Sequence, residues 1–156
     1  MGLDMYLYKK TYVQQWSFET EDEKHHVSVK KGKKPLRHIR PSRVAYVIEN
    51  VGYWRKSNQI HNWFVSNVQD GVDDCKEYYV ESKQLKALMN ECNKVLKNPA
   101  EADDILPTQG GFFFGSTNYD EWYIQDLKDT VKMIKGILAD EKKYNFTGEY
   151  YYRASW

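Results

Sequence analysis

Apolar residues alternate at the start of the chain, with Leu3, Met5 and Leu7 set against Asp4, Tyr6 and Tyr8. A period of two with aromatics predicts a strand over residues 3–8. Further strands are predicted at 26–30, 44–50, 76–81, 112–115 and 148–156, the second of these rich in Val and Ile and the last in tyrosine. Between them the period lengthens. Over 53–69, Tyr53, Ile60, Trp63, Phe64 and Asn67 share one face of a predicted helix, which Gly52 precedes and Asp70-Gly71 closes. Over 83–97, Leu85, Leu88, Met89, Cys92, Val95 and Leu96 form a three-four stripe, with Ser82 as the expected cap and Asn98-Pro99 as the stop. The longest helix is predicted over 120–141, capped by Asp120, with its stripe at Ile124, Leu127, Val131, Ile134 and Leu138. Residues 14–26 and 99–111 predict loops.

The order β, β, β, α, β, α, β, α, β has too few and too unevenly spaced strands for a doubly wound sheet. It predicts an α+β fold: a largely antiparallel sheet with about three helices packed on one face. At 156 residues the chain is expected to form a single domain, 1–156, with a real core.

Charge changes this picture only locally. The formal net charge is +1, which excludes a general polyanion binder or a nucleic-acid mimic. Yet Lys30, Lys31, Lys33, Lys34, Arg37, Arg40 and Arg43 crowd a stretch holding one glycine and two prolines, which predicts a basic loop or β-arm at about 30–43. No Lys or Arg occurs between Lys97 and Lys128, where six acids fall. The basic run lacks interleaved aromatics until Tyr46, so a solvated loop is expected and nucleic acid is not the expected partner.

Two cysteines outside any CxxC suit a reduced, cytoplasmic protein. No leader-like segment shows at the start and no window approaches a membrane span. The four histidines have no HxxxH or HExxH spacing, so no metal and no cofactor are expected. Gly110 and Gly115 have P-loop spacing, but Ser116 stands where lysine is required, which excludes that loop.

Two stretches carry candidate binding chemistry. In "YWRKSNQIHNWF", read as helix, Trp54, Asn58 and His61 lie along one side and Arg55 neighbours Asn58. An aromatic plate, a cation, an amide and an imidazole can stack a base or sugar and hold a phosphate or carboxylate. The alternative, a half-exposed helix with Trp54 and Trp63 in the core, is the preferred reading of that helix. In "QGGFFFGSTNYDEWY", period two places Phe112 and Phe114 on one side of a strand and Phe113 on the other. Gln109 before the strand and Tyr119 after it are the polar groups best placed to face a ligand. Asp120 and Glu121 would repel a phosphate from the helix that follows.

The blocks "MGLDMYLY", "YWRKSNQIHNWF", "VQDGVDDC" and "LPTQGGFFFGSTNYDEWY" together resemble a family of small uncharacterised proteins encoded by phages and prophages. The resemblance covers most of the chain outside roughly 14–43 and the last dozen residues. It implies an accessory protein in the host bacterial cytoplasm and carries no catalytic signature. A binding protein is therefore expected rather than an enzyme. Its expected partner is a nucleotide-like small molecule or a host protein, with antagonism of a bacterial defence system as the context and homo-oligomers as the assembly. The rivals are a small nucleotide-directed enzyme using His61 with the acids near 120, and a nucleic-acid binder using the basic arm.

Overall fold

Alternation at the start of the chain becomes strand β1, Asp4–Tyr12, in the computed structural model, which describes residues 2–156. Leu3, Met5 and Leu7 point into the core, while Asp4, Tyr6 and Tyr8 remain partly accessible on the other face. Within the basic run, β2 Lys30–Lys31 pairs with β3 Lys34–Pro35 in a short antiparallel hairpin. A single 3-10 turn, Pro41–Arg43, leads out of it. Then follow β4 Tyr46–Arg55, α1 Asn58–Asn67, β5 Glu77–Val80, α2 Ser82–Lys97, the one-turn α3 Ala102–Ile105, α4 Glu121–Tyr144 and β6 Glu149–Ser155.

The four long strands form one antiparallel sheet in the order β4-β1-β6-β5, and the fold is α+β. The contacts divide the chain into two compact units: the chain up to Lys9 with Asn50–Trp156, and Lys10–Glu49. The second unit holds this hairpin and a run of touching aromatics. In it Trp16 stacks on Phe18, Trp16 Nε1 donates to the Tyr12 hydroxyl at 3.0 Å, and Tyr12 meets Tyr46 edge-on.

The first unit contains the core. Leu3, Met5 and Leu7, Trp54, Val80, Tyr150 and Tyr152 present the inner sheet face. Against it pack Ile60 and Phe64 of α1, Leu85, Leu88, Cys92 and Val95 of α2, and Leu127, Val131 and Ile134 of α4. Phe64 stacks on Tyr152 with ring centroids 3.9 Å apart. Both predicted stripes therefore enter the core as their spacing requires, with Met89, Leu96, Ile124 and Leu138 only partly buried at its margin. Asp120 caps α4 by accepting from the backbone N–H groups of Trp122 and Tyr123, as expected.

Several elements differ from expectation. The helix expected from residue 53 begins at Asn58, and Trp54 and Arg55 belong to β4. Trp54 is only 4% exposed, since pairing with β1 turns it inward, where its indole N–H donates to Thr130 Oγ1 at 2.8 Å. Residues 112–115 are a turn and not a strand, because no other strand pairs with them. Phe112 and Phe114 consequently do not share a side: Phe112 is 93% exposed and Phe114 is buried. The strand expected at 26–30 contributes only its last residue to β2. Helix α2 is capped by Glu81 rather than Ser82. A capping box joins Glu81 and Gln84, and the Ser82 hydroxyl donates to Glu141 instead. The loop expected at 99–111 contains α3.

Leu88 of α2 is fully buried in the core, and α2 packs against α4. Leu88→Ala should lower the unfolding free energy by about 2–5 kcal/mol, because the surroundings close only partly over the lost methyl groups. Urea denaturation monitored by circular dichroism measures this.

Candidate functional site

The stretch 107–119 has no regular structure, and its backbone is held from several elements: the Leu3 N–H donates to the Phe113 carbonyl at 3.1 Å, Asn62 Nδ2 donates to the Pro107 carbonyl at 3.2 Å, and Asn58 makes three bonds. Its amide nitrogen donates to the carbonyls of Phe114 at 3.1 Å and Ser116 at 2.8 Å, while its Oδ1 accepts from the Gln109 backbone N–H at 3.0 Å. Asn58 opens α1 and is almost fully buried, so it clamps the loop and is not free to meet a ligand. Two glycines serve the same close approach. A Cβ on Gly111 would lie 2.6 Å from the Phe114 ring. Gly115 sits at φ +89°, where a side chain would be strained and would also crowd Lys56.

His61 is sealed from solvent, and both of its ring nitrogens are engaged. The Asp73 carboxylate can only accept, so His61 Nε2–H donates to Asp73 Oδ1 at 3.0 Å. Nδ1 must then accept, from the Tyr152 hydroxyl at 2.8 Å. Burial pushes the imidazole below its ordinary value of 6.5, with Asp73 opposing in part, so the ring is neutral. Burial also pushes the Tyr152 phenol well above its ordinary range. Asp73 is reached only through the fold, being twelve residues from His61 and in a segment with no regular structure. Its side chain keeps 25% of its surface, and the Trp156 indole N–H also donates to it, at 3.3 Å.

Around this network lies a cleft of about 490 Å³, lined by Asp73, the loop 109–114 and Trp156. Gln109 lines it, and the Gln109 side-chain oxygen is buried without a hydrogen-bond partner. Phe114 stands between His61 and Trp156, edge-on to the imidazole.

A second hollow, of about 320 Å³, contains Arg55, Lys56, Gln59, Ser116, Trp122 and Asp126 among its walls. Burial pushes the Asp126 carboxyl up, opposed by hydrogen bonds from Ser57 and Gln59. Asp120, which also lines this hollow, is committed to capping α4. Within the hollow Gln59 Nε2 donates to Asp126 Oδ2 at 3.1 Å.

The structure thus separates the six residues singled out from sequence. Gln109 lines the cleft and Arg55 lines the second hollow. Trp54, Asn58 and His61 are buried in the framework. Tyr119 lines neither space, and its hydroxyl donates to Asp103 at 2.6 Å and accepts from the Thr108 N–H. The acids near 120 do not meet His61, whose carboxylate partner is Asp73. Asp73 and Trp156 are not legible as site residues: Asp73 lies in the block "VQDGVDDC" but nothing there marks it out from Asp70 or Asp74, and the fold alone brings it to Trp156.

Cys92 is buried, and its thiol is pushed up to about 12 by desolvation, which leaves it inert. Among the described residues no cluster of three or more His, Cys, Asp or Glu could hold a metal ion, and no helix is long and apolar enough to cross a membrane. Comparison with known proteins finds no matching family model, no matching curated protein and no matching solved structure.

The His61 network predicts a pH dependence. An imidazole held neutral in the fold leaves the unfolded chain binding more protons once the pH drops below about 6.5. Its contribution to stability is therefore whole above that pH and declines as pH falls toward the depressed folded value. The stability difference between the wild type and His61→Gln should narrow on acidification from pH ~7 to ~5. Parallel urea titrations of the two proteins at each pH measure it.

Proposed function

We propose that the chain acts by binding rather than by catalysis, and that its site is the cleft formed by Asp73, the loop 109–114 and Trp156. The observation that carries this reading is the contrast within the cleft. Phe112 is 93% exposed and Gln109 has an unpartnered buried oxygen, so binding groups are left unused. The one imidazole nearby is sealed and fully bonded, and the hydroxyl it touches is buried as well. Large exposed aromatics beside an unpaired polar atom are what a ligand would cover and satisfy.

In this reading the chain is an accessory protein of the phage type, working in the host cytoplasm. Its partner is a small molecule with a flat, nucleotide-like body or a segment of a host protein, and antagonism of a bacterial defence system is the role this fits. The resemblance of the sequence blocks supports the context, and the cleft supports the mode of action.

Phe112 contributes little to the fold at that exposure, so Phe112→Ala should change stability by no more than about 0.5 kcal/mol. It should nevertheless abolish the phenotype of the expressed protein in a phage-infection assay. Thermal melts alongside the infection assay check both halves. A Phe112→Ala protein that melts like the wild type and keeps full activity would place the site elsewhere.

A further inference from the structure

Building on the cleft as the binding site, we infer that the group it holds is positively charged: an ammonium or guanidinium carried on a flexible body. The lining contains one charged side chain, the Asp73 carboxylate, and no Lys, Arg or His. The two groups that hydrogen bond to Asp73 are both neutral. One is His61, kept uncharged by burial, and the other is the Trp156 indole. Lys76, three residues on, is engaged by the neighbouring Asp74 at 3.0 Å. The His61 and Trp156 bonds both leave the charge of Asp73 in place, although three-quarters of its side-chain surface is covered.

The remaining walls suit the same ligand. Phe112, Phe113 and Trp156 offer ring faces and edges, and a cation is attracted to such faces. Gln109 adds an acceptor with no donor of its own to meet. A carboxylate, an amide oxygen and aromatic rings together ask the ligand for donors and positive charge. Phosphate groups would be repelled, so of the two partners proposed above a host-protein segment bearing an ammonium or guanidinium fits the cleft and a phosphorylated nucleotide does not. A free polyamine and a lysine or arginine side chain on a partner protein share this chemistry.

The test follows the Trp156 indole N–H resonance, assigned by its loss in Trp156→Phe, because that group bonds to Asp73 in the cleft. The wild type is titrated separately with spermidine, with short acetylated lysine and arginine peptides, and with adenosine as the uncharged probe. At least one cationic probe should shift the resonance saturably. Asp73→Asn keeps an acceptor for His61 and removes the charge, and it should weaken that binding about tenfold or more. Phe112→Ala, whose side chain supports no fold contact of weight, should weaken it too. Tighter binding of spermidine than of the peptides points to a free amine, and the reverse points to a protein side chain. Equal affinity of Asp73→Asn and wild type would overturn the inference, as would the absence of any saturable shift with the cations. A shift with adenosine alone would sink the charge assignment and leave the cleft standing as a site. Silence from every probe would remove both.

Discussion

The side chain of Asn58 makes three hydrogen bonds to the backbone of the candidate-site loop. Residues 107–119 make no ladder and no helix, so their backbone groups need partners from elsewhere. Asn58 supplies them at both ends of the phenylalanine turn, donating twice and accepting once. Each of these bonds joins the start of α1 to a segment about fifty residues later. The consequence runs in two directions. The turn is fixed tightly enough to bury Phe114 against His61, and the same turn throws Phe112 out to solvent. Loss of the clamp would leave buried carbonyls unsatisfied and would disturb both hollows at once.

Helix α1 is therefore unusual in what it buries. Ile60, Phe64 and Val65 form an ordinary apolar contact with the sheet, but Ser57, Asn58, Gln59 and His61 are buried beside them. Each polar member acts at a distance in sequence: Asn58 on the loop, Ser57 and Gln59 on Asp126, His61 on Asp73 and Tyr152. Buried polar groups with complete hydrogen bonding specify one arrangement of their neighbours more sharply than apolar contacts do. The helix orders the two hollows through these groups, while the sheet and the other helices supply the apolar mass.

The sequence reveals those parts of the structure whose cause is local. The stripes of α2 and α4 are legible because a period near 3.6 is itself the trace of one buried face, and the Asp120 cap acts within its own turn. Trp54 and Arg55 were misplaced because "YWRK" suits either period, and only pairing with β1 decides for strand. The triple phenylalanine reads as a strand until its lack of a partner strand is seen. The site is the least legible part. Gln109 announces itself by its place beside two glycines, but the Asp73 and Trp156 contacts depend on 12 and 83 residues of intervening chain.

The order of the Asp73–His61–Tyr152 network argues for its use. A relay that activates a hydroxyl keeps the carboxylate inside and presents the hydroxyl to substrate. Here the order is reversed. Tyr152 is fully buried and stacked under Phe64, with its phenol pushed up by burial, so it can neither meet a substrate nor readily lose its proton. The carboxylate stands at the cleft. Running outward, the tyrosine fixes the tautomer of the imidazole, and the imidazole fixes one oxygen of Asp73. Neither bond neutralises the charge. The network thus holds a negative group in a set orientation at the wall of an aromatic cleft.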